Sequence, residues 1–189
     1  MKIWRLDFPA EKEHLDIYID GFGVEKQQEF DGRLHDDWRE AKLEIDGSDL
    51  AVRPNCPYYR APIPVWDNYA RDVLDDLVDG EVQFLPAELD GKRYWIVNVT
   101  NLLDALDWER SDYELFDDGG IEWVKEYQLK EDVVREQSIF KLSDDPLDFP
   151  FVSEELKQRA EERGITGLRF RLAWDSELPS GSVRFSFLE

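Results

Sequence analysis

Three side chains in this sequence carry nucleophile or general-base chemistry suited to neutral pH: His14, His35 and Cys56. Nucleophilic catalysis needs a nucleophile with a base beside it, and a Cys–His pair is arithmetically available. Cys56, however, lies between Asn55 and Pro57 in a proline-rich stretch. No glycine elbow or helix start is at hand to depress its pKa, so it reads as an inert thiol. Carboxylates are abundant, with 44 Asp and Glu against 23 Lys and Arg, so acid/base pairs cannot be judged by counting. Asp75, Asp76 and Asp79 share a helix turn, and Asp76 and Asp79 at i, i+3 could meet on one face. The plainer reading is a solvated helix face. Asp117-Asp118 and Asp144-Asp145 adjoin Gly or Pro, where turns place such residues.

Neither a D-x-D-x-D-G calcium loop nor an H-E-x-x-H zinc motif is present, and no metal or other cofactor is expected. Gly21-Phe22-Gly23 is a lone G-x-G without the strand–helix context of a phosphate loop. Arg169 and Arg171 form a single stripe suited to pairing with carboxylates, so nucleic acid is not an expected partner. The distinctive stretch is Trp108 to Trp123, rich in both acids and aromatics. An acidic rim around aromatic anchors is the chemistry of a protein-binding surface. Asp112, Asp117, Asp118, Glu122 and Trp123 are the candidate partner-binding residues. The competing reading makes Trp108, Phe116 and Trp123 part of the core, and both stand open at this point.

The elements that position these residues follow from pattern and composition. The chain of 189 residues fits one domain, or one with an appendage, and is 42% hydrophobic with seven Trp. Its net charge of −21 suits solubility, a basic protein partner or adaptation to high salt, and disfavours anionic lipid and nucleic acid. A single cysteine permits no internal disulfide. The charged start Met1 to Pro9 does not form a signal-peptide apolar region, and no apolar run approaches the roughly 20 residues of a membrane helix. The expected location is the cytoplasm, away from membranes.

Strands are predicted over Lys2–Phe8 (Trp4, Leu6 and Phe8 on one face, Ile3 and Arg5 on the other) and over Leu15–Asp20. Phe30 to Ile45 reads as either a loop with a short strand or a poor helix. Asp46 to Asp49 reads as a turn. Arg53 to Pro64 holds four of the nine prolines and reads as extended connector. It divides an N-terminal portion, residues 1–64, from residues 65–189, the two expected to form one compact unit. Val65–Asp79 reads as an amphipathic helix with Asp67 in its first turn and Gly80 after its end. Val82–Leu89 and Lys92–Thr100 flank Asp90-Gly91 and read as a central hairpin.

Asn101–Asp107 reads as a helical turn or connector, and Trp108–Gly120 as an acidic loop. Ile121–Leu129 and Ser138–Leu142 read as strands. Ser153–Arg163 reads as a second helix, capped by Ser153 and stopped by Gly164. Gly167–Trp174 follows as a strand with Leu168, Phe170, Leu172 and Trp174 inward, and Val183, Phe185 and Phe187 repeat that pattern. The fold class is α+β, a mostly antiparallel sheet with a few helices packed against it. Leu74, Leu77, Trp95, Val97, Leu168 and Phe170 are expected in the core.

Several segments in order then resemble a bacterial family. They are Val82-Gln83-Phe84-Leu85-Pro86-Ala87, Tyr94 to Val99, Asp104-Ala105-Leu106-Asp107, Ile139 to Leu142, Phe151 to Lys157, and Gly164 to Phe170. Their joint order and spacing is similar to immunity protein 11, a family of bacterial polymorphic toxin systems, over roughly Val65 to Trp174. The resemblance implies a non-catalytic protein that binds and neutralises a cognate toxin in the cytoplasm. Its acidity suits a basic toxin. The alternatives are a carboxylate-based hydrolase, which needs two carboxylates converging with raised pKa values, and an acidic scaffold or regulatory binding protein. The sequence leaves the oligomeric state open.

Overall fold

Asp90 and Gly91 take φ of 50° and 75°. Two consecutive positive φ values match the primed turn whose twist suits a two-residue hairpin. They join β6 (Val82–Leu89) to β7 (Lys92–Val99), which pair antiparallel from Leu89↔Lys92 to Val82↔Val99, as expected. The computed structural model describes residues 1–7, 15–20, 27–45, 53–59 and 62–185. His14, the Gly21 to Gly23 segment, the Asp46 to Asp49 turn, Phe8 and Phe187 lie outside them.

The remaining strands are β1 (Lys2–Leu6), β2 (Asp16–Ile19), β3 (Ala41–Ile45), β4 (Tyr58–Tyr59), β5 (Val65–Asp67), β8 (Leu102–Leu103), β9 (Asp112–Leu115), β10 (Ile121–Glu126), β11 (Ile139–Leu142), β12 (Phe151–Ser153) and β13 (Phe170–Asp175). The helices are α1 (Asn68–Val78), α2 (Glu131–Val134) and α3 (Glu154–Glu162). The central hairpin belongs to a six-stranded sheet, β4-β2-β3-β6-β7-β5; a five-stranded sheet runs β13-β1-β12-β11-β8, and β10-β9 form a separate ribbon. Most pairings are antiparallel; β2–β4, β3–β6 and β8–β11 are parallel. Three of the pairings link residues before the proline connector to those after it. Strand β1 lies between β12 and β13, and β3 pairs with β6.

Both long helices cover the place where the two large sheets come together. Ala70, Leu74 and Val78 of α1 and Leu156 and Ala160 of α3 share one cluster with Val97 and Val99 of one sheet and Leu6, Ile139 and Val152 of the other. A second cluster, with Ile17, Leu43, Leu85 and Ile96, belongs to the six-stranded sheet; a third, with Ile3, Phe140, Phe151 and Trp174, belongs to the five-stranded one. Arg159 on α3 also reaches Asp76 on α1 at 3.0 Å.

Several expectations change. The helix predicted from Val65 starts at Asn68, because Val65, Trp66 and Asp67 pair with Ile96, Trp95 and Tyr94 as β5. Asp67 is the N-cap rather than a first-turn residue, its side chain accepting from Ala70 N at 2.8 Å. Apolar spacing cannot separate a strand that runs straight into a helix. The expected connector at Asn101–Asp107 contains β8, and the expected loop at Trp108–Gly120 contains β9. Strand β8 depends on a distant partner, β11, and β9 on β10 across a short turn.

A register shift between Ile3 and Trp4 against β13 leaves Ala173 as an extra residue, so Ala173 and Trp174 are both buried and the predicted alternation fails. Trp95 is only half-buried; its indole donates to Asn68 Oδ1 and carries the Arg71 guanidinium 4.0 Å above its ring. Leu74 and Val97 are buried as expected, whereas Leu77, Leu168 and Phe170 pack partly buried at the cluster edge. Arg5, placed on a strand face by the alternation, is 6% exposed and pairs with Asp7 at 3.3 Å and Asp148 at 3.4 Å.

Candidate functional site

Residues 107–126 contain eight carboxylates and two basic residues. Strand pairing folds this segment into the β9–β10 ribbon, with Ile121↔Leu115, Trp123↔Glu114, Val124↔Tyr113 and Glu126↔Asp112. Two register shifts fall on β10, around Glu122 and Lys125. Such bulges bend a ribbon and re-aim its side chains. The turn is closed by Phe116 N donating to Gly120 O and Gly119 N donating to Phe116 O, each at 2.9 Å. Gly119 adopts φ 89°, and Asp118 Oδ1 accepts from Gly120 N at 3.0 Å. Asp117 and Asp118 therefore stand exposed at the tip.

The base of the ribbon is anchored. Ser111 Oγ donates to Gln128 O and accepts from Gln128 N. Trp108 and Tyr113 meet edge to face at 4.9 Å and pack, with Ile121 and Trp123, against the third core cluster. Glu126 is buried. Burial by itself would raise its pKa, but bonds from Gly181, Gln128 and Ser180 and the charge of Arg184 outweigh that and hold it below the usual carboxylate range.

The structure brings all five predicted partner-binding residues onto this one ribbon and gives them different roles. Asp112 is half-buried and paired with Arg184, and Glu114 beside it is paired with Lys125. Asp117, Asp118 and Glu122 are exposed, and no cation among the described residues lies within ion-pair distance of them. Trp123 is half-buried against the core cluster, so its ring is in part a structural one. The exposed apolar groups are instead Phe116, at 54%, and Leu115, at 44%. Leu115 had no signal in the sequence. It occupies a strand position whose outward face only the pairing register reveals.

Beside β10, Ile121 to Val124 and the loop Asp145–Phe149 border a groove of about 400 Å³ that also touches Arg5 and Tyr127. Burial, followed by the charge of Asp148, pushes Asp145 up to about 6. Asp148 itself accepts from Arg5. Beneath the loop, Lys141 Nζ donates to Phe30 O at 3.2 Å and Pro146 O at 2.9 Å, and burial pushes its pKa down to about 8. Lys141 is thus committed to holding the loop.

The other chemical candidates have structural employment. Cys56 is 3% exposed, and burial together with the charge of Asp67 pushes its thiol well above the usual range, suppressing the thiolate. Asp75 and Asp76 face Arg71 and Arg159. Glu81, raised by burial, accepts from Ser138 N and Ile139 N and so caps the start of β11. Among the described residues, no group of three His, Cys, Asp or Glu side chains is arranged to hold a metal ion, and no helix is long and apolar enough to cross a membrane.

The profile of an immunity protein family (Imm11) matches residues 72–175, a span that runs from within α1 to the end of β13 and contains the whole acidic ribbon. No curated protein matches the chain.

Proposed function

This chain belongs to the immunity protein family Imm11, and from that membership we propose that it neutralises a cognate toxin by binding it through the acidic β9–β10 ribbon. The family implies a toxin partner and a role without catalysis. The observation that carries the choice of surface is the set of exposed carboxylates at Asp117, Asp118 and Glu122, which have no ion-pair partner among the described residues, beside the exposed Phe116 and Leu115. Carboxylates without internal counter-ions are free to meet a partner's cations, and neighbouring apolar groups supply desolvated area. Asp112 and Trp123 shape the base of the same surface. With a net charge of −21, the partner that fits is basic, and charge steering accelerates its encounter. The encounter is placed in the cytoplasm, where a lone buried thiol stays reduced.

The test is co-expression with the protein encoded immediately upstream, followed by co-purification. Growth rescue and a complex whose association slows as salt rises are expected, because screening shortens to about 8 Å at physiological ionic strength. The triple reversal D117K/D118K/E122K is expected to slow association about tenfold or more while leaving the unfolding midpoint nearly unchanged. Rescue without any complex would defeat the binding mechanism. Binding indifferent to both salt and the reversal would move the contact surface elsewhere.

A further inference from the structure

We propose that the outer edge of β9 is the docking line for an extended, Lys- or Arg-bearing segment of the toxin, which adds to the ribbon as a third strand. This rests on the binding mechanism above and specifies its geometry. Strand β9 pairs only with β10, so its other edge carries no partner strand among the described residues. Phe116 N bonds inward to Gly120 O. By strand alternation, Leu115 and Tyr113 therefore direct their N–H and C=O groups outward.

The other described edges are less available. The last three residues of β13 are buried, β5 is buried at Val65 and Trp66, β4 and β8 are two residues each, and the outer edge of β10 is met by Phe185 N, which donates to Lys125 O. Strand β9 alone among them offers four residues with half-buried to exposed side chains. Free edges are normally guarded by lysine, proline or a bulge on the edge strand itself. Asp112-Tyr113-Glu114-Leu115 has none of these, since the ribbon's bulges lie on β10. Its guard is negative charge at the tip. Asp117 and Asp118 oppose pairing with a second copy of the same chain, because like charges across a strand pair are destabilising. The same charges favour a basic strand. Added backbone bonds would give affinity, while Asp117, Asp118 and Phe116 at the end of the line would read the partner's side chains.

Hydrogen exchange on the full chain, with and without the inactivated toxin domain encoded beside it, tests this. The amides of Tyr113 and Leu115 should exchange fast in the free protein and become protected in the complex. Leu115→Pro removes one outward N–H at an edge position where proline is tolerated. It should weaken Kd about tenfold or more, whereas Leu115→Ala, which keeps the N–H, should weaken it much less. A complex in which both amides stay unprotected and Leu115→Pro binds like the native chain would overturn strand addition while leaving neutralisation by binding intact. No complex at all would overturn both. If Leu115→Pro is poorly folded, the exchange experiment on the native chain decides alone. A dimer of this chain in which the same amides are protected would make a second copy the occupant and overturn the proposal.

Discussion

Lys141 shows how little a residue's neighbours in sequence reveal about its burial. The strand expected over Ser138–Leu142 assigns Lys141 to neither face, and in β11 all four residues from Ile139 to Leu142 are buried. Its ammonium is held by two carbonyls, and burial lowers its pKa from 10.5 to about 8. Below about pH 8 both folded and unfolded chains carry the charge, and the fold bears the full cost of burying it. Between about 8 and 10.5 the folded lysine is neutral while the unfolded one is protonated, so stability rises with pH across that window. Relative to Lys141→Met, the native chain should gain about 2–3 kcal/mol between pH 7.5 and 10.5, measured by urea unfolding of both. A constant difference across those pH values would show that the lysine is not desolvated as described. Cys56 makes a second residue-scale case. Its buried, high-pKa thiol should resist a thiol-specific disulfide reagent at pH 8 in the folded chain and react at once in urea. Rapid labelling of folded protein would contradict its burial.

At the scale of elements, the turn after α3 docks on the proline connector. Thr166 exchanges bonds with Asn55 and Cys56, at 3.0 to 3.1 Å. Gly167 allows the approach: its φ is 91°, and a Cβ there would lie 2.1 Å from Cys56 O. Gly164, three residues earlier, has φ 66° but open space around it. Gly167→Ala is therefore expected to cost about 3 kcal/mol or more, by backbone strain plus overpacking, and Gly164→Ala only about 1 kcal/mol. Equal losses in thermal unfolding would remove the close approach as the reason for glycine at 167. Asp67 joins two elements in a similar way, ending β5 and capping α1. Asp67→Ala should lower stability by about 1 kcal/mol and by more if the Asn55 bond at 2.8 Å is also felt.

On the scale of the whole molecule, charge and topology act together. The carboxylate excess behind the net charge of −21 is unevenly placed: on the ribbon Asp112 and Glu114 sit in internal ion pairs, whereas Asp117 and Asp118 at its tip have no such pair among the described residues. Recognition can then depend on the tip without the fold depending on it. The same scale carries the expected unity of residues 1–64 and 65–189. Because β1 runs between β12 and β13, and β3 pairs with β6, the full chain should unfold in one transition by both fluorescence and circular dichroism. A fragment of residues 65–189 should lack a cooperative transition. Two separable transitions in the full chain would show the portions to be independent.

Local chemistry by itself determined the parts of this protein that sequence neighbours specify. Asp90-Gly91 set the central hairpin, Ser153 and Gly164 bounded α3, and the prolines marked the connector that begins at Arg53. The joint order of short segments pointed to the immunity family. Tertiary structure alone decided what depends on partners far along the chain. It made β5 and β8 strands, because pairing with β7 and β11 outweighs weak local preference in two or three residues. It split one expected sheet into two with a separate ribbon, and a bulge interrupted the alternation of β13, burying both Ala173 and Trp174. It buried Arg5 and Lys141, whose charges are affordable only where carboxylates or carbonyls converge from other elements. At the acidic ribbon the division is the same. Composition marked the stretch from Trp108 to Trp123, but only the register of β9 on β10 separated the paired Asp112 from Asp117, Asp118 and Glu122, which have no ion-pair partner among the described residues. Register also turned Leu115 and Phe116 to water and left an edge open.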